Sequence, residues 1–309
     1  MLQCNIGRRA RLVSASLLWL KSGDLTLCLA PEVGGSIARF DHIRAGVRSQ
    51  VMRGAQGEPA SVLACANFPL VPYSNRLRGG AFTFRGRTIS IAPNMPGDPS
   101  PLHGHGWLGR WTVEHASRAS AELSFVHQAC DWPWTYEARQ IFALDARGLD
   151  LSLTCRNLSQ EAMPCGLGQH PYFPCTQATR LSTQVTHAWT VDEAVLPVEL
   201  VSAQGRYDLS DRLICGQDLD NGFENWGGEA RISTPGSPFT VSMRSANAGR
   251  FQVYSPVTGG LVVAEPIQAA NAALNAAEPE WERLGLSVLE PGEEARLDTR
   301  FDVIMEPLR

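Results

Sequence analysis

The feature that most constrains this chain is a unit that keeps returning: a short run rich in β-branched, aromatic and leucine residues, a turn built on Gly, Asp or Asn, and a second such run. SLLWL, KSGD and LTLCLA form one case, AFTF, RGR and TISIA a second, and YEARQIFAL, DARG and LDLSLTCRN a third. Each reads as a β-hairpin, because the turn residues tolerate the backbone angles that reverse a chain while the flanking runs suit a pleated, half-buried surface. Helical signals are sparse. The alanine-rich AANAALNAAEPEW after Pro266 reads as a loop containing one helical turn. With 28 glycines and 20 prolines spread along 309 residues, the pattern favours stacked antiparallel sheets over alternating strand and helix. The expected fold is all-β, a large antiparallel sandwich. No internal repeat or linker divides the chain, so residues 1–309 read as one domain.

Composition narrows the function classes. A hydrophobic content of 44% with 19% charged residues describes a globular chain able to bury a large core. The net charge of -4 with scattered basic residues offers no footprint for a polyanion, which argues against nucleic acid and anionic membrane as partners and for a small neutral ligand. Eight cysteines, Cys4, Cys28, Cys65, Cys130, Cys155, Cys165, Cys175 and Cys215, are dispersed without a CxxC pair, so they read as reduced residues, mostly of the core. The basic and then apolar stretch from Arg8 to Leu20 lacks a small-residue cleavage site before Lys21-Ser22-Gly23-Asp24, so it reads as a strand entering a turn rather than a signal peptide. These features imply a cytoplasmic protein.

Three places concentrate ionisable residues between strand runs. Asn75-Arg76 is followed by Asn94 and by Pro101-Leu102-His103-Gly104-His105-Gly106-Trp107, where the glycines would let backbone approach a ligand closely. Gly168-Gln169-His170-Pro171-Tyr172-Phe173 sets a histidine at the end of a strand-like run, with its backbone restricted by the following proline. Val262-Val263-Ala264-Glu265-Pro266 ends an apolar strand on a carboxylate. Taken singly, each has a plain structural explanation. A histidine can be a satisfied core residue, and a carboxylate after three apolar residues can be the partner of an arginine, for which Arg76 is available. His103 and His105 alternate on an extended segment and would face one side as two metal ligands, but no third ligand stands at suitable spacing. Trp132 and Trp134 alternate in DWPW, and either could stack on a sugar, although core packing is the commoner use.

The ordered series NR, LHG, HPYF, DN and EP, together with APEVGGSIARF near the start and LSVLEPGEEARLDTRFDV near the end, resembles the aldose 1-epimerase (galactose mutarotase) family. The resemblance covers roughly residues 10 to 305 and is carried by order more than by any single motif. It implies a β-supersandwich with the site in a cleft across a sheet. It also implies an isomerase that interconverts the α and β anomers of an aldohexose such as galactose or glucose, needing no cofactor and no metal. By the same resemblance His170 is the general acid and Glu265 the general base, while Asn75, Arg76, His103 and Asp220 of LDNGFENW hold the sugar. HGHGW departs from the HGG-type form of many members, so His105 and Trp107 would reshape the pocket and leave the sugar open. A hexose-6-phosphate epimerase and a non-catalytic carbohydrate-binding protein are the alternatives, and the chain would act as a monomer or homodimer.

Overall fold

A computed structural model describes residues 17–307. Cys4 and most of the stretch from Arg8 lie outside them. The strands form a nine-stranded and an eight-stranded antiparallel sheet, a four-stranded sheet near the N-terminus and two small two-stranded ones. The all-β antiparallel architecture expected from the hairpin pattern is the one observed. Each of the three hairpins forms, as Leu18–Ser22 with Leu25–Ala30, Ala81–Phe84 with Arg87–Ser90, and Tyr136–Leu144 with Gly148–Asn157. The last shows why: Tyr136, Ala138, Gln140, Phe142 and Leu144 are buried and the residues between them are not, the period of two of a strand with one face on the core. The alanine-rich stretch holds two short 3₁₀ turns, Ala273–Asn275 and Glu278–Glu280.

The core between the sheets is apolar and aromatic. Trp132 and Trp134 are buried in it, packed with Tyr73, Phe82, Phe84 and Trp281, so neither offers a face to a sugar. Cys28, Cys65, Cys155, Cys165, Cys175 and Cys215 are buried and outside any disulfide. Burial raises the Cys28 thiol to about 12 and the Cys65 thiol to about 11, which keeps them protonated and inert. No helix of the described residues is long and apolar enough to cross a membrane.

The eight-stranded sheet positions the site. From its middle to one edge the strands run Leu219–Glu224, Arg250–Ser255, Leu261–Ile267, Gly168–Gln169 and Pro69–Leu70, with Tyr172–Pro174 also pairing Leu261–Ile267. Glu265 was expected at a strand end; instead the strand continues through Pro266 to Ile267. Pro266 is tolerated because the ladder on that side is broken, so the missing N–H has no partner to deprive.

The glycines around His105 pack closely against Val71. A Cβ on Gly104, whose φ is +67°, would lie 2.3 Å from the Val71 carbonyl oxygen, and one on Gly106 would meet the Val71 side chain at 2.2 Å. The room is needed because the Val71 carbonyl accepts from the N–H groups of both His105 and Gly106. Gly104→Ala should therefore destabilise the fold by roughly 2 kcal/mol or more, from left-handed strain plus the clash. Urea unfolding measures this, and an unchanged midpoint would show that the loop does not depend on that approach.

Candidate active site

The site begins with strand register. Gly168 pairs Ile267 and Tyr172 pairs Val263, both on the same antiparallel register. That register sets His170 opposite Glu265, in the gap where Pro171 and Pro266 remove two ladder donors. It extends in both directions. On one side Gly168 pairs Leu70 and Gln169 pairs Pro69, which brings Phe68 opposite His170, and the His170 N–H donates to the Phe68 carbonyl at 3.0 Å. On the other, Glu265 pairs Gln252 and Gln252 pairs Gly222. Directly opposed residues share a face of a sheet, so Phe68, His170, Glu265, Gln252 and Gly222 form one row across it.

The side chains follow the row. His170 Nε2 lies 3.5 Å from Glu265 Oε1, with 12% of the histidine side chain and 4% of the glutamate exposed. The His170 ring stacks on Phe68 at a centroid distance of 4.3 Å. Gln252 donates to Asp220 Oδ1 at 2.7 Å, and Asp220 Oδ2 stands 3.9 Å from Arg76 Nη1. The Arg76 Nε–H donates to Asp98 Oδ2 at 3.1 Å. Asp220 keeps 27% of its side chain exposed and Arg76 15%, so charged side chains stand at the more exposed edge of a row in which Phe68, Gln252 and Glu265 are buried.

His103 enters from the neighbouring loop. His103 and Asn75 both have positive φ, 57° and 64°, and they lock together: the His103 N–H donates to the Asn75 carbonyl, and the Asn75 N–H donates to His103 Nδ1, each at 3.0 Å. An accepting Nδ1 leaves the proton of a neutral imidazole on Nε2, so His103 is a hydrogen-bond donor towards the site. Its ring centroid is 5.4 Å from that of His170. Asn75 Oδ1 accepts from the Arg76 N–H; this side chain holds the arginine in place. The Asn94 side chain donates to the Leu102 and Gly104 carbonyls and accepts from the Leu102 N–H, fixing the same loop.

The structure thus gathers His170, Glu265, His103, Arg76, Asp220 and Asn75 into one region. It also corrects two expectations. His103 and His105 do not face one side: the left-handed turn at His103 and Gly104 sends His105 towards His127 and Asp131, with ring centroids 4.4 Å apart and His105 Nε2 3.1 Å from Asp131 Oδ1. Trp107 is buried behind the site, stacked on Phe68 and edge-on to His103, so it shapes the wall without lining the opening. Phe68, Gln252 and Asp98 were not singled out in the sequence. Gln252, a polar residue inside the run FQVYS, carried a signal; Phe68 and Asp98 resemble ordinary core and turn residues.

Burial dominates the titration of the site. It pushes His170 down from 6.5 to about 3, with the Arg53 guanidinium adding to the shift. It pushes Glu265 well above the usual carboxylate range, helped by the Asp220 charge and opposed by Arg76. A neighbouring carboxylate alone would favour a protonated His170, but removing the pair from water disfavours both charges and outweighs it. His103 is likewise held neutral by burial and by His170 and Arg76. The pair therefore holds one proton between two bases, surrounded by donors in His103 and Arg76 and an acceptor in Asp220, an arrangement suited to moving protons on a polyhydroxylated ligand.

Comparison with known proteins agrees with this architecture. The family model described as aldose 1-epimerase matches residues 16–302. The chain is 34% identical to the uncharacterised protein YphB of Escherichia coli K12 over 180 residues, which are 58% of this chain and 61% of that one. The solved structure of the Escherichia coli K12 protein b2544 superimposes with a TM-score of 0.85 at 28% identity, covering 94% of this chain and 99% of that chain. A galactose mutarotase-like protein from Clostridium acetobutylicum gives 0.82 at 17% identity, covering 94% and 95%. The chain belongs to the aldose 1-epimerase family.

Proposed function

We propose that the protein interconverts the α and β anomers of an aldohexose such as galactose or glucose, with His170 and Glu265 exchanging protons with the sugar. What supports this reading most is the buried, opposed pair at 3.5 Å, with His103, Arg76 and Asp220 grouped around it. Glu265 takes the proton of the anomeric hydroxyl as O1 becomes a carbonyl oxygen, the C1–O5 bond breaks, and His170 delivers a proton to O5. Rotation about C1–C2 presents the other carbonyl face. His170 then removes the O5 proton as O5 attacks C1, and Glu265 returns its proton to O1, so the enzyme ends unchanged. In the free site burial favours the proton on Glu265. Sugar hydroxyls donating to that carboxylate stabilise its charge and move the proton to His170, which prepares the acid and base roles. The Nε2–H of His103, the Arg76 guanidinium and Asp220 hold the ring hydroxyls, which supplies orientation.

A sugar phosphate fits less well. Arg76 is bonded to Asp98 and close to Asp220, and Arg78 is paired with Asp192 and donates to the Pro197 carbonyl, so neither guanidinium is offered to a dianion. Turnover of glucose should exceed that of glucose 6-phosphate, and the opposite order would reassign the substrate class. A purely carbohydrate-binding role would leave the buried His170–Glu265 pair without a use.

His170→Ala and Glu265→Gln should each lower kcat at least about 100-fold, the scale of a positioned acid or base, with folding retained. Polarimetry of freshly dissolved anomers measures this, and near-normal turnover in either variant would overturn the assignment. Arg76→Ala should weaken sugar binding roughly tenfold through loss of a charged hydrogen bond.

The pair also sets a pH signature on stability. Above 4.5, the ordinary carboxylate value, the unfolded Glu265 has lost a proton that burial favours in the folded chain, and below 6.5, the ordinary histidine value, the unfolded His170 has gained one that the folded chain lacks, so between these values the two slopes oppose each other. Above 6.5 only the Glu265 slope remains, and stability falls as pH rises until the folded carboxyl ionises. Below 4.5 the unfolded chain holds two protons and the folded one, and stability falls as pH drops towards about 3. Glu265→Gln should abolish the alkaline decline and move the onset of the acid decline up to about 6.5. Denaturant unfolding at several pH values reads both changes, and a variant profile parallel to that of the wild type would contradict the shared proton.

A further inference from the structure

Beyond the sugar site, a second group of metal-ligating side chains converges where two separate loops meet. His105 leaves the loop after His103, His127 ends the strand Ser120–His127, and Cys130 lies in the hairpin loop that returns as Tyr136–Leu144. One ligand atom from each lies within 4.8 Å of the others. Cys130 Sγ is 3.7 Å from His127 Nε2, close to the S–N edge of about 3.6 Å expected around a tetrahedral ion with Zn–S near 2.3 Å and Zn–N near 2.0 Å. His105 presents its two nitrogens differently. Nε2 lies 3.1 Å from Asp131 Oδ1, whereas Nδ1 is buried and has no hydrogen-bond partner. An imidazole with one nitrogen on a carboxylate and the other unengaged has the form of a metal ligand, since the carboxylate fixes the tautomer and strengthens the ring as a donor.

We propose that His105, His127 and Cys130 form a binding site for a thiophilic divalent cation of the Zn²⁺ type, with Asp131 orienting His105 and water completing the coordination. Two imidazoles and a thiolate match the borderline-soft ions and not Mg²⁺ or Ca²⁺, which take oxygen ligands. Binding is a simple exchange: the Cys130 thiol, which donates to Asp131 Oδ1 at 3.1 Å, loses its proton to solvent and its sulfur bonds the metal, with no change of oxidation state. His127 Nε2 gives up its contact with the Trp132 carbonyl, at 3.2 Å, to do so. The ion would tie the loop that presents His103 to the hairpin loop that carries Trp132. It is separate from the His170–Glu265 chemistry and takes no part in proton exchange.

Cobalt(II) titration of the metal-stripped full chain tests this. The wild type should bind one equivalent and develop a thiolate-to-cobalt charge-transfer band. Cys130→Ser should lose that band, and Asp131→Asn, which keeps the first ligands, should weaken binding about tenfold or more. Zn²⁺ should raise the thermal midpoint of the wild type and not that of Cys130→Ser. Absence of a stoichiometric band in the wild type, or an undiminished band in a Cys130→Ser protein with native circular dichroism, would overturn the proposal.

Discussion

The site depends on one constraint, the antiparallel register that holds Leu261–Ile267 between its two neighbours. A strand has a side-chain period of two, so a slip by one residue would turn every side chain to the other face and remove Glu265 from His170. The register is fixed from both sides, by Gly168 on Ile267 and Tyr172 on Val263, and by the pairing of residues 250–254 with 263–267. The pairing lapses only between Gly168–Ile267 and Tyr172–Val263, the short stretch that holds Pro171 and Pro266 on either side of the His170–Glu265 position. A sheet interior thereby acquires a gap where ionisable side chains meet, without the loop flexibility that usually accompanies such a gap.

The second layer of the site is built by strain and capping rather than by the sheet. Asn75 and His103 both adopt left-handed backbone, a cost of about 1–2 kcal/mol each, and each satisfies the other's backbone groups. Asn94 holds the same loop by three hydrogen bonds. The result is a histidine that is neutral, donates from a known nitrogen and has little freedom to turn. The charged members stand at the rim, where Arg76 is shared between Asp98 and Asp220, while the buried members are arranged so that their protonation conserves charge.

Much of this could be read in the sequence, and the part that could not has a physical reason. The hairpins were visible because burial on one face writes a period of two into the chain, as in Tyr136–Leu144. His170, Glu265, Arg76, His103, Asn75 and Asp220 emerged only as an ordered set, because each alone has a structural use. Register was not readable, since it is a relation between strands distant in sequence, and so Phe68 and Gln252 were missed. The titration of His170 is not legible in sequence either, because it is set by depth of burial. His105 was paired with His103 on the assumption of extended backbone, and the left-handed turn between them breaks it.

Whether the opposed His170–Glu265 pair interconverts anomers can be read on a sugar already at equilibrium. Magnetisation exchange between the α and β anomeric proton resonances of galactose or glucose reports turnover without a coupling enzyme. Exchange should occur at a rate proportional to protein concentration, with α and β saturation transfer in both directions. Exchange no faster than in protein-free buffer, across the aldohexoses and at neutral pH, would contradict it.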